Sequence, residues 1–242
     1  MSDKINTKDL TRAAELKHSE IDGSDVARLF IHHHKVVGSN LVAGLKIETE
    51  EKKDGIKIDM VLKKGTVVKK PVQMCFGMIP KSGRQHIIMN INLEKNSKID
   101  VIAHCAFPNA INVEHKMDAK INISKNASYS YFERHIHGNH GGIRVIPKAE
   151  IKIDDYGKFK TEFELIKGRV GLIDIDYEVF CKKHSVLEMV ARINGKKDDI
   201  IKIKETGHLN GEHSKGVLTS RVAALDKTKA EVYSKITASA AY

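Results

Sequence analysis

Short apolar-polar-apolar triplets recur along most of this chain. Ile56-Lys57-Ile58 and Ile91-Asn92-Leu93 come first; beyond Ser97 follow Ile99-Asp100-Val101, Ile121-Asn122-Ile123, Ile151-Lys152-Ile153, Ile173-Asp174-Ile175 and Ile201-Lys202-Ile203. Alternation with period two puts both apolar side chains on one face of an extended strand and the polar one on the other. Ile and Val, branched at Cβ, suit a pleated, half-buried surface. Turn residues separate the runs at Asn96-Ser97, Lys125-Asn126, Asp155-Tyr156-Gly157, Asn194-Gly195 and Asn210-Gly211. The pattern predicts a mainly all-β chain of short strands. The five triplets from Ile99 onward start 22, 30, 22 and 28 residues apart, about the length of one coil of a parallel β-helix. Two strands per interval would give the same recurrence in a β-sandwich, so spacing leaves both architectures open.

The first 37 residues follow another rhythm. Thr7 is placed to cap a helix carrying Leu10, Ala13 and Ala14, and Ser24 to cap a second piece through Val26, Ala27, Leu29 and Phe30. This predicts an N-terminal helical segment over residues 1–37 and a β domain over 38–242. His32-His33-His34 falls at the predicted helix end, where neighbours about 100° apart cannot face one ligand together; a solvated helix terminus is expected.

The chain has 242 residues, 41% of them hydrophobic, enough to bury a substantial core. Neither a signal-peptide core nor a membrane span is visible in the sequence, which predicts a cytoplasmic protein. Its formal net charge of +10 invites a nucleic-acid reading. The lysines, however, are spread singly through the strand-like segments (Lys57, Lys120, Lys152, Lys202) among Asp and Glu, as on solvated strand faces. With 5% aromatics and no Trp, a base-stacking platform is poorly supplied, and no nucleic-acid partner is expected.

Candidate ligands are unevenly placed. Glu133-Arg134-His135-Ile136-His137-Gly138-Asn139-His140 is the densest cluster. On a strand His135 and His137 point the same way and can share a metal, with His140 close in sequence; the pair resembles the HxH of cupins, with Glu150 as a conceivable carboxylate ligand. The same residues also fit a polar strand face or a turn. Cys75, Cys105 and Cys181 lie 30 and 76 residues apart, too far for a ferredoxin or zinc-ribbon motif, and an odd number of thiols argues against a disulfide framework. His104-Cys105 and Cys181-Lys182-Lys183-His184 each bring a thiol near an imidazole. The sequence holds no Walker A motif, no GxSxG elbow and no GxGxxG, which points away from nucleotide hydrolysis by this chain.

Ile102-Ala103-His104-Cys105-Ala106-Phe107-Pro108, followed by Val113-Glu114-His115-Lys116-Met117, resembles the core of the SufB/SufD family of iron-sulfur cluster assembly proteins. Glu133 to Gly138, Gly168-Arg169-Val170-Gly171 leading into Asp174-Ile175-Asp176-Tyr177-Glu178, and Gly211-Glu212 leading to Ser220-Arg221 and Asp226-Lys227 strengthen the resemblance. It runs from about Ser24 to Tyr242, and its spelling resembles the shorter archaeal members. The resemblance implies a right-handed parallel β-helix that dimerises with itself or with a SufB/SufD-like paralogue. It further implies an ABC-type ATPase partner of the SufC kind and a transient iron-sulfur cluster, such as a 4Fe-4S cluster. On this reading the chain is a non-enzymatic scaffold, with Cys105, Cys181, Glu212 and His213 as candidate cluster ligands and His135, His137 and His140 as candidate metal ligands. Family members continue past the segment ending Ala238-Ser239-Ala240-Ala241-Tyr242 into further β-structure and a helical part that docks the ATPase. A cupin-like metal-binding enzyme using His135, His137 and Glu150 is the alternative.

Overall fold

A computed structural model describes residues 7–238. In chain order the elements are α1 (Thr7–Ala13), α2 (His18–Ile21), β1 (Arg28–His32), β2 (Lys35–Asn40), β3 (Leu45–Lys52), β4 (Gly55–Leu62), β5 (Val72–Gly77), β6 (Ser82–Leu93), β7 (Lys98–Phe107) and β8 (Asn112–Ile123). They continue as β9 (Ser128–His137), β10 (Ile143–Ile153), β11 (Lys158–Lys167), β12 (Leu172–Cys181), β13 (Val186–Gly195), β14 (Ile200–Leu209), β15 (Lys215–Ala224) and β16 (Lys229–Ala238). Odd-numbered strands from β5 onward stack in one parallel sheet, with β1 and β2 at its end; even-numbered strands from β4 onward stack in a second, with β3 at its end. Among the described residues only the hairpins at the sheet ends, β1/β2 and β3/β4, pair antiparallel. The molecule is a parallel β-solenoid, which settles the choice the triplet spacing left open. Each coil takes one strand from each sheet.

True coil lengths show in the register. Ile151 stacks on Ile121 and Ile201 on Ile173, intervals of 30 and 28 residues; the 22-residue intervals join Ile99 to Ile121 on the other sheet, and Ile151 to Ile173 out of register, Ile173 pairing with Val145. The inner faces of both sheets form one apolar core that includes Ile58, Ile91, Ile121, Ile151, Ile173 and Ile201. Burying one such side chain stabilises the fold by about 1.5–3 kcal/mol. Asparagine rungs tie successive coils outside the core, Asn122 Nδ2 donating to Asn92 Oδ1 at 2.9 Å.

One edge of the solenoid consists of tight turns. Gly65, Asn96, Asn126, Tyr156, His184 and His213 each occupy the left-handed region there, one per coil. The opposite edge carries the connections 108–111, 138–142, 168–171 and 196–199. Glycine is required on that side at Gly168, whose φ is +87° and where a Cβ would lie 2.0 Å from the His137 carbonyl oxygen.

The first helical piece forms as expected and packs Leu10 and Ala14 on the outer face of the first sheet, against Phe30, Cys75 and Ala106. The second expected piece is instead strand β1. Leu29, Phe30 and Ile31 are all buried, and pairing with β5 and β2 satisfies their backbone groups better than an isolated helical turn would. His33 and His34 therefore lie in the β1–β2 hairpin turn, not at a helix end. Residue 38, the expected domain boundary, lies inside β2. The final strand expected at the chain end is present as β16, and residues 239–242 lie outside the described ones. Among the described residues no helix is long and apolar enough to cross a membrane.

Candidate metal centre inside the solenoid

Strand parity selects the side chains that enter the lumen. Cys105 is in phase with buried Ile99 and Val101 on β7, His115 with Ile121 and Ile123 on β8, and Glu133, His135 and His137 with Tyr129 and Tyr131 on β9. Parallel register then stacks them, Cys105 opposite His135 and Ala103 opposite Glu133. All five polar side chains are buried, Glu133 at 2% and His135 at 1% exposure.

Cys105 Sγ lies 3.3 Å from Glu133 Oε1 and 3.9 Å from His115 Nε2. These three ligand atoms are mutually within 4.8 Å. A tetrahedral ion with bonds of about 2.3 Å to sulfur and about 2.0 Å to nitrogen or oxygen separates its donors by roughly 3.5 Å. The set therefore fits a thiolate-imidazole-carboxylate site with little rearrangement. His115 Nδ1 and Glu133 Oε2 have no hydrogen-bond partner, while Glu133 Oε1 is shared between Cys105 and His135.

His135 and His137 meet, but as a hydrogen-bonded chain beside this set. His135 Nδ1 and His137 Nε2 are 3.1 Å apart, His137 Nδ1 lies 3.1 Å from the Arg169 carbonyl oxygen, and His135 Nε2 lies 2.8 Å from Glu133 Oε1. The Arg169 oxygen can only accept, so His137 donates from Nδ1 and accepts at Nε2 from His135. One proton is left between His135 Nε2 and Glu133 Oε1. Burial, and after it the charge of His135, pull His137 well below the usual histidine range and His115 down to about 3, so both are neutral imidazoles. Burial alone would raise Glu133; the hydrogen bond and charge of His135 outweigh it and hold the carboxyl below its ordinary value. Burial and the nearby Glu133 carboxylate push the Cys105 thiol well up, so it keeps its proton until something replaces it.

The other expected ligands lie elsewhere. Cys181, the last residue of β12, is at the tight-turn edge, as are the exposed Glu212 and His213. His140 is exposed in the 138–142 connection. Glu150 points outward from β10 and pairs with Lys152 at 2.8 Å, so it cannot join His135 and His137 inside. Cys75 is buried on the outer face of the first sheet, away from the lumen, and His104 also faces outward. Glu133 opens the densest cluster of candidate ligands in the sequence, while His115 is not among the named candidates. The signal for them was present: each is a polar residue in phase with the apolar positions of its strand.

Arg169 closes the edge nearest the site. Its guanidinium is 2.6 Å from Asp198 and 2.8 Å from the fully buried Asp199, bracing the 168–171 connection against the next coil, while its carbonyl holds His137. Arg169→Ala is expected to speed iodoacetamide labelling of Cys105 by roughly tenfold or more, since two charge-assisted hydrogen bonds resist opening there. Peptide mass mapping reads all three thiols. Equal acceleration at Cys75 and Cys181 would mean global loosening, and no acceleration at Cys105 would mean the brace does not control access.

No family model matches the sequence. Two archaeal proteins are similar along most of its length. An iron-sulfur cluster assembly SufBD family protein of Methanocaldococcus jannaschii is 35% identical over 226 residues, covering 93% of this chain and 72% of the relative. One of the same description from Pyrococcus horikoshii is 32% identical over 210 residues, covering 87% of this chain and 64% of the relative.

Proposed function

Because the chain belongs to the SufBD family of iron-sulfur cluster assembly proteins, we propose that it serves as a non-enzymatic scaffold in that process, holding a cluster component at Cys105, His115 and Glu133. The buried donor set carries this reading. It joins one soft thiolate to one imidazole and one carboxylate, a combination suited to a borderline metal such as ferrous iron. Iron here is cargo: the site takes it up, and loading requires the Cys105 proton to leave. The rigid stack of coils fixes three ligands from three strands without help from a loop. The remaining parts of the proposal are a SufC-type ABC ATPase as partner and a dimer formed with a second copy or a paralogue. They accord with the absence of any nucleotide-binding motif in this chain.

Anaerobic titration with ferrous iron, with and without sulfide, tests the site. The full chain is expected to develop a thiolate-to-iron absorption band that Cys105→Ser abolishes and His115→Ala weakens. A band that survives Cys105→Ser, or none at all in the wild type, sinks the proposal. Co-purification of the chain with a co-expressed SufC-type ATPase tests the partnership separately. The parallel solenoid offers no cupin barrel, and outward-facing Glu150 removes the carboxylate that alternative needed.

A further inference from the structure

Lysines scattered through the sequence become a column in space. On the tight-turn edge the residue preceding each left-handed position is Lys64, Lys95 and Lys125 in three successive coils. The turns stack directly: Gly65 N–H donates to the Lys95 carbonyl at 3.0 Å and Asn96 N–H to the Lys125 carbonyl at 3.1 Å. Asn126 Nδ2 donates to Asn96 Oδ1 at 3.0 Å, fixing the two turns side by side. Neighbouring coils are about 4.8 Å apart, so three like charges follow one another at the closest spacing a sheet allows. Two residues beyond the left-handed position, Lys98 and Lys158 flank the same ridge. All five lysines are exposed, and among the described residues none has a carboxylate within ion-pair distance, although Asp154 lies within electrostatic reach of Lys95. Like charges directly opposite on adjacent strands are destabilising. The fold maintains this repulsion where the outer faces of its sheets pair lysines with acids, as in Lys116 with Asp118 and Lys160 with Glu188.

We propose that the tight-turn edge around Lys64, Lys95 and Lys125 is a docking surface for an acidic segment of a partner protein. Nucleic acid fits the edge less well, for two reasons. The ridge is interrupted by Asp154 and Asp155, which would repel a continuous phosphate backbone. Its rings also have their faces occupied: Tyr156 stacks on His184 at 4.6 Å and His184 on His213 at 4.9 Å, while Lys125 sits over the Tyr156 ring. Bases therefore find no open platform. An acidic peptide needs no stacking and tolerates a mixed boundary.

Fluorescence anisotropy with a short labelled poly-glutamate peptide at low salt tests the surface, with a uridine oligonucleotide of matched charge alongside. The full chain is expected to bind the peptide more tightly than the oligonucleotide. The combined Lys64→Glu, Lys95→Glu and Lys125→Glu variant should weaken peptide binding on the order of tenfold. Lys120→Glu, Lys148→Glu and Lys202→Glu together change net charge equally on the outer face of the second sheet, and should leave binding near wild type. Equal loss in both triple variants would reduce the effect to net charge and overturn the proposal. So would tighter binding of the oligonucleotide.

Discussion

Glu133→Ala is expected to lower the stability of the folded chain by roughly 3–5 kcal/mol, the cost of breaking a buried charge pair by removing one partner. Glu133 is 2% exposed, lies 2.8 Å from His135 Nε2 and accepts from the Cys105 thiol. Its loss strands both groups in the lumen and opens a void beside them. Glu133→Gln keeps the shape and one acceptor, so a smaller loss should follow. Because Glu133 and His135 act as a unit, combining Glu133→Ala with His135→Ala should cost clearly less than the two single losses added together. Denaturant titration of the four proteins measures this. Additive losses, or a Glu133→Ala cost near that of a surface change, would show that the shared proton does not bind the two side chains together.

Stability should also fall as pH rises through neutrality, because of Glu205. This side chain enters the lumen from β14, stacked on Tyr177 in the neighbouring coil, and its Oε2 has no hydrogen-bond partner. Burial raises its carboxyl to about 7. A raised carboxyl binds its proton more tightly in the folded state than in the unfolded chain. Its contribution is therefore complete below the ordinary glutamate value, declines as pH climbs from there, and is gone above about 7. The whole shift corresponds to about 3 kcal/mol. Glu205→Gln removes the titration without changing size. The difference in stability between variant and wild type should grow in the variant's favour between about pH 5 and pH 8. A constant difference across that range would mean that Glu205 stays charged, or stays neutral, throughout.

Much of the strand content was legible because parity is a local property. Extended backbone sends alternate side chains to opposite faces, so Ile121 and Ile123 could be assigned to one face from three residues of sequence. The turns at Asn96 and Asn126 were legible for the same local reason, since both residues tolerate the left-handed region, whereas Asn194-Gly195, expected to turn, ends strand β13 and the chain turns just after it. Residues 28–34 misled because Val26, Ala27, Leu29 and Phe30 also fit a helical stripe. Pairing between β1 and β5, more than forty residues apart in sequence, decided otherwise. His135 and His137 could be placed on one face by the same parity, whereas their relation to Cys105 could not.

The sequence by itself determined which residues alternate, several of the turns, and that iron-sulfur chemistry was the family resemblance to test. The tertiary structure decided which coil stacks on which, and register is a non-local quantity that no run of ten residues contains. The 30-residue register of β7 on β9 helps bring Cys105, His115 and Glu133 from three strands to within 4.8 Å, while Cys181 and His213 fall at the opposite edge. The same stacking turned lysines that read as isolated surface charges into a column, because a solenoid repeats position in space only after it has repeated a whole coil of chain.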